Sequence, residues 1–131
     1  MKRSQRSGFT LVEVLTVIAI IAVLAALILG LAGNAQKTAA RNKATAEITQ
    51  LENFITDYQM KYGQVPPSVS ALSNALKDAS HSLTNLTDPW GMPYEYTNSS
   101  KVTFYLWSRG GSTNSDPALD NREVYIGNPK P

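Results

Sequence analysis

Residues 14–33 read VLTVIAIIAVLAALILGLAG, and Thr16 is the single polar side chain among them. As an α-helix, a stretch of about twenty residues rises roughly 30 Å, which is the thickness of the hydrocarbon core of a bilayer. The composition is therefore that of a lipid-facing helix rather than of a helix with one apolar side. This stretch predicts a membrane-spanning helix near the start of the chain.

The residues before this stretch allow two interpretations. Three basic residues precede it, Lys2, Arg3 and Arg6. A cleaved secretory signal has the same basic start and apolar stretch, and small residues on both sides of Asn34 would suit its cleavage site. It does not explain Glu13, because a carboxylate in an apolar helix costs free energy unless it has a partner. We therefore favour a retained helix in which Glu13 has a function.

The residues that lead into the apolar stretch carry a family resemblance. They are Gly8-Phe9-Thr10-Leu11-Val12-Glu13, after the short basic leader. This order resembles the processing site of type IV pilins and type II secretion pseudopilins. The resemblance implies that a membrane-embedded prepilin peptidase cuts between Gly8 and Phe9 and N-methylates Phe9. Residues 1–8 would then be a leader peptide, and Glu13 would be the fifth residue of the mature chain.

Cleavage at that bond would change the electrostatics of the apolar segment. It removes the leader charges and creates an ammonium group on Phe9, which stays cationic near neutral pH. Phe9 and Glu13 are one helical turn apart, a spacing that allows pairing within one chain. The resemblance instead implies that Glu13 meets the Phe9 amine of a neighbouring subunit during assembly. Residues 9–33 are thus expected to be both the transmembrane and the polymerisation helix.

The long helix is predicted to continue beyond the membrane, over about residues 10–62. An apolar stripe with steps of three and four marks its second half; it consists of Ile48, Leu51, Ile55, Tyr58 and Tyr62. Gly63 suits a C-terminal cap, and the two prolines at 66–67 prevent the helix from resuming. We therefore expect one helix that is half in lipid and half packed on protein.

Residues 34–131 are predicted to form an α+β domain that includes the outer half of the long helix. A second helix is expected over about 68–79, with Val69, Leu72 and Leu76 on one side. Strands are expected over 94–97, 102–107 and 123–126, the second of them central. A pilin-like fold follows, in which a small antiparallel three-stranded sheet packs against the long helix.

One segment between the second helix and the first strand is rich in turn-forming residues. It reads Asp88-Pro89-Trp90-Gly91-Met92-Pro93-Tyr94. Two prolines and a glycine favour a rigid corner, and the aromatic rings provide apolar surface to bury. The segment also resembles the Asp-Pro-Trp-Gly-x-Pro-Tyr segment of the major pseudopilins. The resemblance makes Asp88, Pro89, Trp90, Gly91, Pro93 and Tyr94 a structural motif.

The loop over residues 108–122 is rich in oxygen-bearing side chains. The resemblance implies a calcium site here, and calcium takes about six to eight oxygen ligands. Asp116 and Asp120 are the candidate ligands. The chain departs from the family pattern at Val124 and Tyr125, which stand where aspartates are usual.

Two alternatives to a calcium site remain open for this loop. The first is a solvated turn in which the aspartates only begin bends. The second is a loop fastened by an ion pair between Arg109 or Arg122 and an acid, worth about 0–1 kcal/mol at the surface.

Composition excludes several classes of protein. The chain of 131 residues has no cysteine, so it has neither a disulfide framework nor a thiolate site. After the leader, nine basic residues face ten acidic ones, which argues against nucleic-acid binding. The single histidine, His81, lies among serines and is predicted to be solvated. The sequence has no catalytic triad, no glycine-rich phosphate-binding loop and no histidines at metal-ligand spacing. We therefore expect no enzyme.

The resemblance implies a structural subunit of a type II secretion pseudopilus, most like the major pseudopilin. Its partners would be further copies of itself, the prepilin peptidase, the inner-membrane secretion assembly platform and minor pseudopilins. The chain would cross the inner membrane once and place its C-terminal domain in the periplasm. Two alternatives remain. One is a type IV pilin for adhesion, motility or DNA uptake, although most of those carry a C-terminal cysteine pair. The other is a membrane-anchored ligand-binding module.

Overall fold

The computed structural model describes residues 8–114, 117 and 121–131. Its elements, in chain order, are helix α1 (Leu11–Tyr62), helix α2 (Val69–Asp78), strand β1 (Glu95–Asn98), strand β2 (Phe104–Ser108), a 3-10 helix (Arg122–Val124) and strand β3 (Ile126–Asn128). The chain divides into two units, Met1–Lys37 and Thr38–Pro131. The predicted α+β arrangement of one long helix and a three-stranded antiparallel sheet is confirmed.

In the first unit, the apolar window of α1 has apolar side chains on all sides, and none of its residues is buried. The large exposed side chains here are Leu11, Val12, Val14, Leu15, Val17, Ile18, Ile20, Ile21, Val23, Leu24, Leu27, Ile28, Leu29 and Leu31. A helix that is apolar all round needs lipid or other helices around it. This part of α1 is long and apolar enough to cross a membrane.

In the second unit, the predicted stripe of α1 faces the core over most of its length. Ile48, Leu51 and Ile55 are buried. Tyr62 is 57% exposed, contrary to the prediction, because the helix ends there and the core does not reach its last turn. The predicted cap is confirmed, since Gly63 has a φ of 75° and its amide donates to the Gln59 carbonyl at 2.7 Å.

Helix α2 closes the second side of this core. Ser68 caps it by accepting a hydrogen bond from the Ala71 amide at 3.1 Å, which satisfies one orphan donor of the first turn. Leu72 and Leu76 are fully buried, as predicted, whereas Val69 is 43% exposed. The helix therefore presents a narrower apolar face than its sequence indicates.

His81 follows α2. The prediction of a solvated histidine is incomplete, because the side chain makes two contacts. Its Nδ1 accepts a hydrogen bond from the Leu83 amide at 3.1 Å. Its ring also packs edge-on against Phe54, with centroids 5.6 Å apart. The histidine therefore holds the loop after α2 against α1.

The sheet has the order β1-β2-β3, with antiparallel neighbours and β2 in the centre. In the register, Tyr96 lies opposite Leu106 in the first pair. The second strand begins at Phe104 rather than at residue 102 because the amides of Val102 and Thr103 donate to the Ser100 side chain, which belongs to the preceding turn.

The prediction of the last strand over residues 123–126 is wrong. Residues Arg122–Val124 form a 3-10 helix, and the strand is Ile126–Asn128. The Asn121 side chain accepts from the Glu123 amide at 3.2 Å and caps the 3-10 helix. Gly127 has a φ of 103° and lies against the Leu106 carbonyl, a close approach that a side chain would prevent. The sequence pattern over residues 123–126 indicates neither the cap at Asn121 nor the close approach at Gly127.

Tyr96 links the sheet to the segment between the two helices. Its buried hydroxyl donates to the Pro66 carbonyl at 2.7 Å. Burial, with a smaller contribution from Tyr58, raises the pKa of Tyr96 to about 12. The phenol is therefore neutral in the folded protein at pH values where an exposed tyrosine ionises.

The free energy of unfolding is expected to fall as the pH rises from about 10 to about 12. The Tyr96 pKa is raised in the folded state, so its contribution is complete below pH 10 and is lost as the unfolded chain releases the proton first. The loss amounts to about 1.4 kcal/mol per pH unit for one such group. Chemical unfolding of full-length protein in detergent, followed by near-ultraviolet circular dichroism, measures it.

The Tyr96→Phe variant should have lower stability and a shallower fall over the same pH range, because it has no phenol to ionise. Tyr62→Phe is the matched control, since Tyr62 is exposed, and its fall should equal that of the wild type. Equal slopes for all three proteins would contradict the assignment.

Candidate functional site

The start of α1 is built around a reciprocal pair of hydrogen bonds. The Thr10 amide donates to Glu13 Oε2 at 3.1 Å, and the Glu13 amide donates to Thr10 Oγ1 at 3.2 Å. This is a capping box, in which each side chain satisfies a backbone donor that the helix leaves unpaired. The Thr-x-x-Glu spacing of Thr10 and Glu13 is the sequence signal for this cap.

The predicted cleavage bond lies directly before this cap. Phe9 is 90% exposed, and a side chain at Gly8 would meet no described atom within 4 Å. Both residues precede Leu11, the first residue of α1, so the bond lies in non-helical backbone. The bond between Gly8 and Phe9 is therefore sterically open in the described part of the chain.

Glu13 combines two properties at this position. As an acid in the first turn it interacts favourably with the helix dipole, which keeps the carboxylate compatible with an apolar helix. The ion pairs among the described residues are Lys43–Glu47 and Arg109–Glu95, so Glu13 has no cationic partner within that part of the chain. Its carboxylate is exposed and can accept a further bond from an external ammonium group.

The Asp88 segment forms a corner closed by one buried carboxylate. Asp88 is 4% exposed. Its Oδ1 accepts from the amides of Trp90 at 3.1 Å and Met92 at 2.8 Å, and its Oδ2 accepts from Ser108 Oγ at 2.8 Å. The carboxylate thus fixes the turn and ties it to the end of β2.

The other residues of this motif shape the same corner. Gly91 has a φ of 80°, which favours glycine, and its amide donates to the Asp88 carbonyl at 3.0 Å. Pro93 forms an isolated bridge with Thr87. Pro89 lies within the turn that these contacts close. The Trp90 ring lies beside Gly111, where a Cβ would come within 3.2 Å of Trp90 Cδ1.

Tyr94 ends the corner and contacts the long helix. Its ring is 2% exposed, and its hydroxyl donates to Glu47 Oε2. Burial raises the pKa of Tyr94, and the Glu47 carboxylate raises it further. Lys43 Nζ lies 3.9 Å from Glu47 Oε1. Through its bond to Tyr94, Glu47 of α1 holds the corner against this helix.

The loop after β2 is fastened at its start by an ion pair. Arg109 Nε donates to Glu95 Oε1 at 2.9 Å, and Nη2 of the same guanidinium contacts that oxygen. An Arg109–acid pair, which was one of the alternatives to a calcium site, is present in the structure. Arg122 instead donates to the Pro129 carbonyl at 3.5 Å. The calcium candidates Asp116 and Asp120 lie outside the described residues.

The end of the same loop is held by α1. Arg41 Nη1 donates to the Val124 carbonyl, and Arg41 Nη2 donates to the Glu123 carbonyl, both at 3.2 Å. Tyr125 is buried, and its hydroxyl donates to the Asn114 carbonyl at 3.0 Å. No sequence signal pointed to Arg41, since its partners are backbone atoms more than eighty positions away.

Comparison with known proteins finds a family match for each of two segments of the chain. A family model described as the prokaryotic N-terminal methylation motif matches residues 3–29. A second family model, described as type II secretion system (T2SS), protein G, matches residues 32–126. The second match covers more than half of the chain, so it shows the family.

Curated relatives carry the same description. The type II secretion system core protein G of Aeromonas hydrophila is 28% identical over 92% of this chain and 95% of its own length. Those of Dickeya chrysanthemi and Klebsiella michiganensis are 29% and 31% identical, over 95% and 72% of this chain and 90% and 75% of their own lengths. No solved structure gives a significant match. The chain belongs to the type II secretion system protein G family, the structural subunits known as major pseudopilins.

Proposed function

We propose that the chain is processed between Gly8 and Phe9, and that the mature chain is the repeating subunit of a periplasmic secretion pseudopilus. The observation that carries this proposal is the position of Glu13. Its carboxylate is held at the first turn of a helix whose next twenty residues are exposed and, apart from Thr16, apolar. Such a helix requires surroundings that are apolar but that also supply one positive charge.

Cleavage would supply that charge. The new ammonium group of Phe9 lies within about one helical turn of Glu13, roughly 6 Å along the helix axis, because four residues separate the two positions. Within one chain, the Glu13 carboxylate already accepts from the Thr10 amide. A carboxylate has further lone pairs, so it can also accept from the Phe9 ammonium of a neighbouring subunit. This pairing would fix the axial register between adjacent subunits.

The apolar helix allows the subunit to leave the membrane. A side chain that faces lipid tails loses little free energy when it faces the apolar helices of neighbours instead. The electrostatic pair then selects one register among many that apolar packing alone would allow. Assembly in this way would extend a filament in which the apolar helices of neighbouring subunits pack on one another.

The partners and the location follow from the same proposal. The leader bond requires a prepilin peptidase, and extraction from the bilayer requires an inner-membrane assembly platform. Minor pseudopilins would start or cap the filament. The second unit would lie in the periplasm, with the leader on the cytoplasmic side. We propose a structural rather than a catalytic role, in line with the family to which the chain belongs.

Mass spectrometry of the amino terminus tests the processing step. With the peptidase present, we expect the chain to begin at N-methylated Phe9. The Gly8→Val variant should keep residues 1–8, because a branched side chain replaces the hydrogen at the cleaved bond, and its cleaved fraction should fall at least about tenfold. The Gly30→Ala variant is the matched control, since a Cβ there meets no atom of the described residues within 4 Å.

A functional chain that still carries its leader in secreting cells would overturn the proposal. Release of the chain after Ala35 would do so as well, because the protein would then be a secreted domain without its helix.

A further inference from the structure

A groove of about 540 Å³, the α1–α2 groove, lies between the end of α1 and helix α2. Aromatic rings line it on the side of α1 and short side chains on the side of α2. These residues are Phe54, Tyr58, Tyr62, Ala71, Ala75 and Ala79. Tyr62 is 57% exposed and Tyr58 is half-buried, so aromatic surface stays accessible in the groove. Accessible aromatic surface in a concave site is typical of a docking surface.

Two of these rings lie together and form an aromatic platform. The centroids of Tyr58 and Tyr62 are 4.4 Å apart, and the planes of the rings are tilted by 42°. Lys61 Nζ lies 5.3 Å from the centroid of Tyr62, within the distance of about 6 Å over which an aromatic ring attracts a cation. The platform is therefore compatible with apolar rings and with basic side chains.

The α1–α2 groove carries a net negative charge. Asp57 of α1 and Asp78 of α2 both line it, and Lys61 is the only base among its described lining residues. The ion pairs of the described part of the chain lie elsewhere, so neither aspartate has a cationic partner there. Two carboxylates against one ammonium group favour a ligand with a positive charge.

The chain itself contains a segment of matching chemistry. Residues 129–131, the Pro-Lys-Pro segment, follow β3 and lie outside helices and strands. Lys130 and Pro131 are exposed, and Lys130 forms no ion pair with a described residue. Proline fixes φ at about −65°, so two prolines that flank one residue favour the polyproline II conformation. Aromatic-lined grooves bind proline-rich segments in this conformation, because little conformational entropy is lost on binding.

The groove and the segment lie at opposite edges of the second unit. The sheet has the order β1-β2-β3. Helix α2 contacts β1, whereas the Pro-Lys-Pro segment continues from β3. Arg122 donates to the Pro129 carbonyl at 3.5 Å, which ties the start of the segment to the 3-10 helix before β3. A segment of three residues held in this way is placed to meet the groove of another chain rather than its own.

We propose that the α1–α2 groove binds the Pro-Lys-Pro segment of a second copy of this chain. The prolines pack on the platform of Tyr58 and Tyr62. The Lys130 ammonium group pairs with Asp57 and Asp78. Because the two surfaces differ, each subunit gives its segment to one neighbour and receives the segment of another. A heterologous contact of this kind extends an open polymer when the rotation between subunits does not close a ring.

This inference rests on the proposed function, because it names a second contact between subunits of the same filament. Phe9 and Glu13 set the register of the apolar helices, and the Pro-Lys-Pro segment links the second units. A contact of three residues is weak by itself. Once the helices hold two subunits together, the segment has a high effective concentration at the neighbouring groove, so a weak contact is sufficient.

Peptide binding tests the groove without assembly. The probe is a peptide of residues 124–131 with fluorescein at one end and an amide at the other, so that no free terminus contributes. It is titrated with full-length protein in detergent, and fluorescence anisotropy is recorded. We expect saturable binding with a dissociation constant of roughly 0.1–1 mM, since only a few residues make the contact.

Charge reversal gives the specificity control. Asp78→Lys should weaken binding of the wild-type peptide at least about tenfold, because two like charges then meet. A peptide with Lys130→Glu should lose binding to the wild-type protein and regain it with the Asp78→Lys protein. Glu123→Lys is the matched control, since it reverses an exposed acid outside the groove and should leave binding unchanged. Tyr62→Ala should weaken binding at least about threefold, because one ring of the platform is lost.

Cross-linking tests the contact in the assembled filament. The chain has no cysteine, so introduced cysteines are its only thiols. One chain carries Ala79→Cys in the groove and Asn128→Cys before the Pro-Lys-Pro segment, and membranes with filaments are treated with a short bismaleimide. We expect a ladder of covalent dimers, trimers and longer products, because the contact is heterologous. Ala79→Cys with Lys101→Cys is the matched control and should give no ladder, since Lys101 is exposed in the turn between β1 and β2.

The outcomes separate this inference from the assembly proposal. Absence of saturable peptide binding, or binding that Asp78→Lys leaves unchanged, would overturn the inference. A cross-link within one chain in place of the ladder would also overturn it. Filaments without a cross-link between positions 79 and 128 would do the same, while the assembly proposal would stand. If the peptide binds in the charge-dependent way but no filaments form, the proposed function fails and the groove keeps its assignment to this segment.

Discussion

Replacement of Glu13 by leucine is expected to abolish filament assembly while cleavage and N-methylation continue. The variant should accumulate in the membrane as the processed monomer. Leucine is apolar and suits both lipid and a helix bundle, so the loss would arise from the Phe9 ammonium, which has no carboxylate to meet. Quantification of sheared filaments, with mass spectrometry of the amino terminus, measures both parts of the prediction.

The expected size of this effect follows from the surroundings of the pair. Breaking an ion pair between apolar helices by removing one partner costs about 3 kcal/mol or more, because the other charge stays desolvated. About 3 kcal/mol is roughly a hundredfold in the association constant of each contact. Because every subunit repeats the contact, the yield of filaments should fall to background.

The capping box provides the control that separates charge from helix capping. Glu13→Gln removes the charge but keeps a side chain able to accept from the Thr10 amide, since glutamine also occupies this position in capping boxes. Thr10→Ala removes the hydroxyl half of the box, at a cost of about 0.5–2 kcal/mol, but leaves the carboxylate. We expect Glu13→Gln to fail in assembly and Thr10→Ala to assemble.

The reverse result would contradict the electrostatic role of Glu13. If Glu13→Gln assembled normally while Glu13→Leu and Thr10→Ala failed, the acid would serve only to begin the helix. The contact with a neighbouring Phe9 would then have no support.

The parts of the fold that could be predicted are those set by local sequence. The apolar stretch of residues 14–33 and the buried stripe through Ile48, Leu51 and Ile55 depend on periodicity within one helix. The cap at Gly63 needs only a glycine able to adopt a positive φ. These features therefore appear in the structure where the sequence placed them.

The parts that could not be predicted depend on contacts between distant residues. An apolar pattern over residues 123–126 suits a strand, but the carbonyls of Glu123 and Val124 bond to Arg41 rather than to β2. Glu47 lies off the apolar stripe of its helix, and only the position of Tyr94 makes this half-buried carboxylate a hydrogen-bond partner. A side chain that bonds to distant backbone leaves no local signal.

The predicted assembly site requires atoms from two subunits, and one chain supplies only part of it. The sequence located Gly8, Phe9 and Glu13 through their order, and the structure adds the bond between Glu13 and the Thr10 amide. The pairing of Glu13 with a second subunit involves atoms of another molecule. The structure of a single chain contributes the exposed carboxylate and the apolar helix on which that pairing would be built.

Replacement of Asp88 by alanine is expected to destabilise the second unit more than any other single polar change described above. The variant loses three hydrogen bonds to a 4% exposed carboxylate. Each bond to a charged group contributes about 1.5–3 kcal/mol, and the contributions are not additive. We expect a loss of about 3–5 kcal/mol, which lowers the midpoint of thermal unfolding of the full-length protein in detergent by at least about 12 °C.

The size of that loss depends on what the removed carboxylate leaves behind. The amides of Trp90 and Met92 would face a cavity without an acceptor, and the buried hydroxyl of Ser108 would lose its partner. A buried donor without a partner costs more than the lost bond alone, because water cannot replace the acceptor. Ser108→Ala removes the third bond and also the bond that Ser108 Oγ accepts from the Gly110 amide at 3.1 Å, and it should cost about 1–3 kcal/mol.

Substitution of an exposed acid is the control that separates the loss of this hydrogen-bond network from the loss of one negative charge. Asp57 is exposed on α1, and Asp57→Ala should change the free energy of unfolding by less than about 0.5 kcal/mol. If Asp88→Ala were no more harmful than Asp57→Ala, the carboxylate would not hold the corner. The turn would then owe its shape to Pro89, Gly91 and Pro93, whose backbone preferences remain in the variant.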